Sequence, residues 1–273
     1  MTAQGIETAA PGETDAPATT SAPKWSVLRR WWPPALAIGV AVALWWLVTA
    51  ALASPQSLLH QTTPGQVAKS LVELYKRGVL ISDTEVSLWR LLVGLLVAAV
   101  IGIPAGLLVG LSDTADRATR PVIQFLRMIS PLSWAPISVA IFGIGNEPVI
   151  FLIAAAAVWP ILINTAAGVH SVDSGYLQVA KSFGASRIEQ LTLVVLPAIR
   201  GHLQTGLRVA LGIAWVVLVP AEMLGVRSSL GYQILNARDQ LSYGQVVAVI
   251  VVIGVIGYAL DLAARRLLSS GRG

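Results

Sequence analysis

Six long apolar runs, at about 33–53, 86–111, 121–142, 148–169, 203–224 and 246–262, alternate with more polar segments along the chain. Each is near the ~20 residues that a helix needs to cross a bilayer core. A transmembrane barrel strand alternates apolar and polar residues with period two, and these runs do not. Helices remain, because lipid offers no partner to an unbonded backbone amide or carbonyl. The pattern predicts an all-α membrane protein of about six transmembrane helices, forming one domain over 24–273. Residues 1–23, rich in Thr, Ala, Pro and Gly and without apolar period, read as a disordered tail.

Composition agrees with lipid as the main solvent. Only 12% of the residues are charged and 55% are hydrophobic, against about 25% charged in a soluble domain. The first basic residues, Lys24, Arg29 and Arg30, come too late for a secretory signal, so the first run reads as a retained anchor, with Trp25, Trp31 and Trp32 at the headgroup level. With the N-terminus inside, one set of loops holds Lys24, Arg29, Arg30, Arg117, Arg120, Lys181, Arg187, Arg200, Arg265, Arg266 and Arg272. The other side holds Lys69, Lys76, Arg77, Arg227 and Arg238, with Arg90 just inside the second run. That excess predicts a multi-pass protein of the cytoplasmic (inner) membrane with both termini in the cytoplasm. The net charge of +5 is thus a topological signal. No run of five basic residues points to nucleic acid. The absence of cysteine excludes disulfides, thiolate metal sites and cysteine nucleophiles.

Between the first two runs, Thr63-Pro64-Gly65-Gln66 has the features of a helix start, and Val67, Leu71 and Leu74 recur at helical spacing before Gly78. An interfacial helix on the outer leaflet is expected there.

The segment 171–200 is the most informative. Tyr176, Val179, Ala180 and Phe183 fall at i, i+3, i+4 and i+7, giving a short helix one apolar face, with Asp173 or Ser174 as cap. Gly184 supplies a left-handed stop, and Ser186 with Glu189 forms a capping box that opens a second helix through Leu191, Val194 and Val195. Pro197 then redirects the chain toward the fifth run. An apolar elbow outside the membrane asks for a protein partner.

Here the chain resembles the permeases of binding-protein-dependent ATP-binding-cassette importers. Their loop reads Glu-Ala-Ala, three residues, Gly, nine residues, Ile-x-Leu-Pro. This chain has Gln178-Val179-Ala180, three residues, Gly184, nine residues, then Val194-Val195-Leu196-Pro197. Gln178 replaces the acid and Val179 the first alanine, which leaves the position without a carboxylate for a salt bridge to the ATPase. The likeness runs from about 85 to 268 and is nearest the nitrate, sulfonate, taurine and bicarbonate branch. It is carried by Ser130-Pro131-Leu132-Ser133-Trp134-Ala135-Pro136, Phe142-Gly143-Ile144-Gly145, Trp159-Pro160-Ile161 and Leu230-Gly231-Tyr232. The resemblance implies a type I importer permease fold with a coupling-helix loop. It also implies a pair of permeases, the same or similar, two ATPase subunits and an extracytoplasmic solute-binding protein. Tyr176, Gln178, Val179, Ala180, Phe183, Gly184, Leu196 and Pro197 would couple to the ATPase.

No lysine has the glycine-rich context of a phosphate-binding loop, so ATP and Mg are expected on partner chains and no cofactor on this one. His60, His170 and His202 are remote from one another and read as interface residues rather than a protease site. The rival reading is a channel or ion-coupled carrier, for which Glu222 and Asp261 are the candidate acids. Ser130, Ser133, Trp134 and Trp159 are expected near a translocation path, with close packing by small residues as the competing reading for the serines. Leu230, Tyr232 and Ile234, on a short helix with Ala237 and Leu241, are expected at an outer gate or packed on their own spans. Arg90, Arg127 and Arg208 read as snorkelling to headgroups.

Overall fold

The computed structural model describes residues 25–51 and 57–269, and every regular element among them is helical. The expected tail, and the end of the first apolar run, lie outside the described residues. The first helix, α1, spans Trp25–Trp46 and opens into a π turn at Leu47–Ala51. Then come α2 (Pro64–Lys76), α3 (Val79–Gly110), α4 (Asp113–Met128), α5 (Ala135–Phe142) and α6 (Asn146–His170). Short pieces follow, α7 (Ser174–Ser182), α8 (Arg187–Glu189) and α9 (Leu196–Ala198), before α10 (Arg200–Gly225), α11 (Leu230–Asp239) and α12 (Tyr243–Ser269).

Among the described residues four helices are long and apolar enough to span a membrane: α3, α6, α10 and α12. The third expected span is not one straight helix. It breaks between α4 and the segment Pro131–Phe142, which meet at 83°. Pro131 causes the break, since the residue before a proline is pushed out of the helical region. Ser130 accordingly takes φ −59° and ψ 128°. The first expected span has its apolar part at Leu36–Ala50, shorter than the other spans. Counting the bent pair as one span gives five among the described residues.

The core is the contact of α3 with α6 and α10. Gly94, Ala98, Gly102, Gly106 and Gly110 recur every fourth residue and put one face of α3 flat against α6. A Cβ at Gly106 would lie 2.6 Å from the Leu162 carbonyl oxygen, and one at Gly102 3.0 Å from that of Val158. Small residues are what let two backbones approach this closely in lipid. On the far side of α6, Gly206, Ala210 and Ala214 repeat the device on α10. Leu91, Val149, Leu152, Ile153, Ile161 and Leu218 fill the space between.

A second cluster joins α2, α11 and α12. Val67 and Leu74 of α2 are buried with Leu230, Ala248 and Val249. The face of α2 expected to lie on lipid is thus covered by protein. Its start is as expected in place, with Pro64 in the first turn, but the Thr63 hydroxyl makes no capping bond. Gly78, at φ +73°, makes the left-handed turn into α3.

Candidate functional site

The elbow lies where α6 ends and α10 begins. Asp173 Oδ1 accepts from the Gly175 amide at 2.8 Å and caps α7. Leu177 faces inward, packed with Val172, Leu191 and Leu196 over the buried Val169, Val195 and Ile199. Gly184 takes φ +80°, and the Ala185 amide donates back to the Ala180 carbonyl at 3.0 Å, closing α7 with a left-handed stop. The capping box is complete: Ser186 Oγ accepts from the Glu189 amide at 3.3 Å, and Glu189 Oε2 from the Ser186 amide at 2.7 Å.

The second arm differs from the expected α-helix. After Glu189 it widens into a π turn over Gln190–Val195, with the Leu196 amide donating to the Leu191 carbonyl. This widening precedes Pro197, whose ring would press on the carbonyl four residues back in a regular helix.

The result is a two-faced element. One face is seated in the apolar cluster; on the other, Tyr176, Val179, Ile188 and Leu193 are exposed and Phe183 is 87% exposed. Gln178 and Pro197 are also exposed, while Ala180 and Leu196 are half-buried. The predicted coupling residues are therefore brought together, except Leu196, which faces the cluster.

Hydrogen bonds from Ser186 hold the Glu189 carboxyl below its ordinary value of 4.5. A carboxylate whose folded pKa is depressed contributes stability above the unfolded value and loses it as pH falls through the folded one. The elbow amides of 186–189 should therefore exchange faster as pH drops below the ordinary glutamate value, after correction for intrinsic rates. Ser186→Ala should move the carboxyl back toward 4.5; an unchanged titration by NMR would contradict the box as its cause.

The expected path residues divide. Trp134 and Trp159 line one apolar cavity of about 220 Å³ with Leu126, Pro131 and Phe151. Ser130 and Ser133 are exposed and do not line it. Of the expected gate residues, Leu230 is buried, and Ile234 packs on the same α2–α12 cluster. Tyr232 is half-buried, and its amide donates to Ser229 Oγ at 3.0 Å.

At the end of the bundle away from the elbow lies a site that hydropathy hides. Arg90 does not snorkel: it is 2% exposed, and its Nη1 donates to Glu222 Oε1 at 3.0 Å. Its Nε donates to Asn146 Oδ1 at 2.8 Å and its Nη1 also to the Ser228 carbonyl at 3.1 Å. Ser87 Oγ donates to Glu222 Oε1 at 2.8 Å and accepts from the Leu230 amide at 3.3 Å. Glu222 Oε2 accepts from the Gly231 amide at 3.1 Å. A sequence signal existed: Asp83, Ser87 and Arg90 fall at i, i+4 and i+7 on one face of α3, and all three are buried. Arg208 also has a partner, Asp261, at 3.7 Å, which Arg265 shares. Arg127 is exposed.

Four helices long and apolar enough to span a bilayer, joined by an elbow whose outer face is apolar and exposed, define a polytopic membrane protein. The chain belongs to the family described as the binding-protein-dependent transport system inner membrane component, whose model matches residues 79–270. It is 35% identical over 245 residues to the nitrate import permease protein of Leptolyngbya laminosa, covering 86% of each chain. It is 34% identical over 250 residues to the taurine transport system permease protein of Escherichia coli, covering 89% of this chain and 90% of that one. A bicarbonate transport system permease protein of Synechococcus elongatus is 40% identical over 181 residues, 66% of this chain and 65% of that one. In fold, the chain matches a subunit of the MetNI methionine ABC transporter in an inward-facing conformation, with TM-score 0.61 and 19% identity over 70% of this chain and 95% of that one. The protein is an ABC importer permease, and the elements ahead of α3 lie outside the matched family core.

Proposed function

We infer that this permease carries a small oxyanion, such as nitrate, taurine or another sulfonate, or bicarbonate, into the cytoplasm at the expense of ATP hydrolysed on partner chains. The observation that carries the coupling is the exposed apolar face of Tyr176, Val179 and Phe183, fixed on an element whose other face is buried. The oxyanion class rests on the names of the nitrate, taurine and bicarbonate relatives. The excess of basic residues on the elbow side supports a cytoplasmic elbow and cytoplasmic termini in the inner membrane.

Two permeases, identical or similar, pair in the bilayer with two ATPase subunits that hold ATP and Mg, and an extracytoplasmic binding protein delivers the solute. Closure of the ATPases moves each elbow, and the bundles rock between inward and outward access. The broken span at Pro131 and the cavity walled by Trp134 and Trp159 lie along the passage, with Ser130 and Ser133 at its polar edge. Leu230, Tyr232 and Ile234 hold the outer end closed.

The test is uptake into proteoliposomes that carry the permease, its ATPase subunits and the binding protein. ATP-dependent uptake of one oxyanion from a panel of nitrate, taurine, alkanesulfonates and bicarbonate is expected, with no uptake when the ATPase subunits are omitted. Uptake of only a sugar or an amino acid would overturn the solute class. Uptake without ATPase subunits that stops with an uncoupler would instead establish an ion-coupled carrier.

A further inference from the structure

The buried node around Arg90 and Glu222 exceeds what is needed to hide two charges. Glu222 Oε2 and the hydroxyl of Ser87 are turned to the first turn of α11, where they take the Gly231 and Leu230 amides, while Glu222 Oε1 takes Arg90 and Ser87. Ser229 Oγ takes the Tyr232 amide. The leading amides of a helix have no partner within it, and here three are satisfied, two of them by residues of α3 and α10. The positive end of α11 rests on a carboxylate, the favourable arrangement for its dipole.

Backbone approach makes the seat specific. A Cβ at residue 231 would lie 2.5 Å from the Val219 carbonyl oxygen and 2.7 Å from Glu222 Cβ, so Gly231 alone lets α11 sit this close. Arg90 extends the node to the Ser228 carbonyl and to Asn146 at the start of α6. The Gly145 amide donates to the Gly225 carbonyl at 3.2 Å, joining the start of α6 to the end of α10.

We propose that Arg90, Glu222 and Ser87 are positioning residues that pin α11 to α3, α6 and α10, so that this end of the permease moves as one block during transport and α11 never swings as a separate lid. Glu222 is fully buried and Arg90 nearly so. Separating them would leave each charge uncompensated in a low-dielectric site, a far larger penalty than that for separating an exposed pair. A lid hinged at 226–229 would also strip the Leu230 and Gly231 amides of their acceptors. A path through which the pair stays intact avoids both costs, and the movement falls elsewhere, at the 83° break between α4 and the Pro131–Phe142 segment.

This inference rests on the ATP-driven reading, and hydrogen exchange on the wild-type complex separates the two. The permease with its ATPase subunits, in lipid nanodiscs, is compared nucleotide-free and trapped with ATP and vanadate. The Leu230 and Gly231 amides should exchange equally slowly in both states, within about threefold, while peptides of 129–145 change. A gain of about tenfold or more at Leu230 and Gly231 in either state overturns the pin and leaves the ATP-driven reading standing. No change anywhere in the chain on trapping sinks that reading and the pin with it.

A variant pair adds a readout that a merely structural role would not move. Arg90→Met alone strands the Glu222 charge, and the folded complex should be lost. Arg90→Met with Glu222→Met removes both charges and fills the space, so folded complex should return. Its α11 is unpinned, so basal ATPase activity without solute should rise, and stimulation by solute should fall by about tenfold or more, the change that follows from about 1.4 kcal/mol. A double variant with wild-type amount and wild-type stimulation would make the node structural only. If the double variant does not fold, the wild-type exchange decides.

Discussion

Gly106→Leu is expected to remove the folded permease altogether, leaving little monodisperse protein after extraction. The added Cβ would lie 2.6 Å from both the Leu162 carbonyl oxygen and Thr165 Cβ, so the obstacle is α6 itself and not the tip of a side chain. Overpacking a core against side chains costs about 1–3 kcal/mol. Here α3 and α6 must separate along much of their length, because Gly94, Gly102 and Gly110 make the same close approach. Gly254→Leu on α12, where nothing lies within 4 Å, is the matched control and should be tolerated. Fluorescence-detected size exclusion after a heating series reads both; equal melting of the two variants would mean that the α3–α6 contact is not the core of the fold.

Gly184→Val should act at the opposite extreme, sparing the fold and abolishing transport. A Cβ at Gly184 meets no atom within 4 Å, so the substitution is resisted only by its backbone, at φ +80°. The left-handed region costs an ordinary residue about 1–2 kcal/mol, and a β-branched one is a marked outlier there. The elbow relieves that strain by turning α7 away from its seat, which misplaces Phe183 and Tyr176 and leaves α3, α6 and α10 untouched. Insertion should match wild type while solute-stimulated ATPase activity falls by about tenfold or more. Gly184→Asn, a residue that visits this region more readily, should keep most of the activity. Equal loss in both variants would show that conformation at residue 184 is not what matters.

The elbow was legible in the sequence because its parts are local. A capping box, a left-handed glycine and a four-residue apolar stripe each act within one or two turns, and the structure reproduces all three. The π turn before Pro197 was not legible, since it relieves a clash that depends on where the helix must dock. Pro131 marked the place of the break in the third span but not its size: the apolar run crosses Pro131 without interruption, so hydropathy sees one segment where the backbone bends by 83°. Arg90 and Glu222 escaped because they are 132 positions apart, and hydropathy scores a charge near a span end as solvated whatever it faces. Only the spacing of Asp83, Ser87 and Arg90 pointed inward. The apolar face of α2 was visible, but its partner on α12 was not, because an amphipathic stripe does not say whether lipid or protein covers it.

We propose that the exposed face of α7 seats an ATPase subunit. A photo-crosslinking side chain at Phe183, which is 87% exposed, tests it in membranes that hold the whole complex, with one at the buried Val195 as control. One adduct between permease and ATPase subunit is expected from position 183 and none from 195. Adducts from 183 only with lipid or with a second copy of this chain, undiminished when the ATPase subunits are left out, would contradict it.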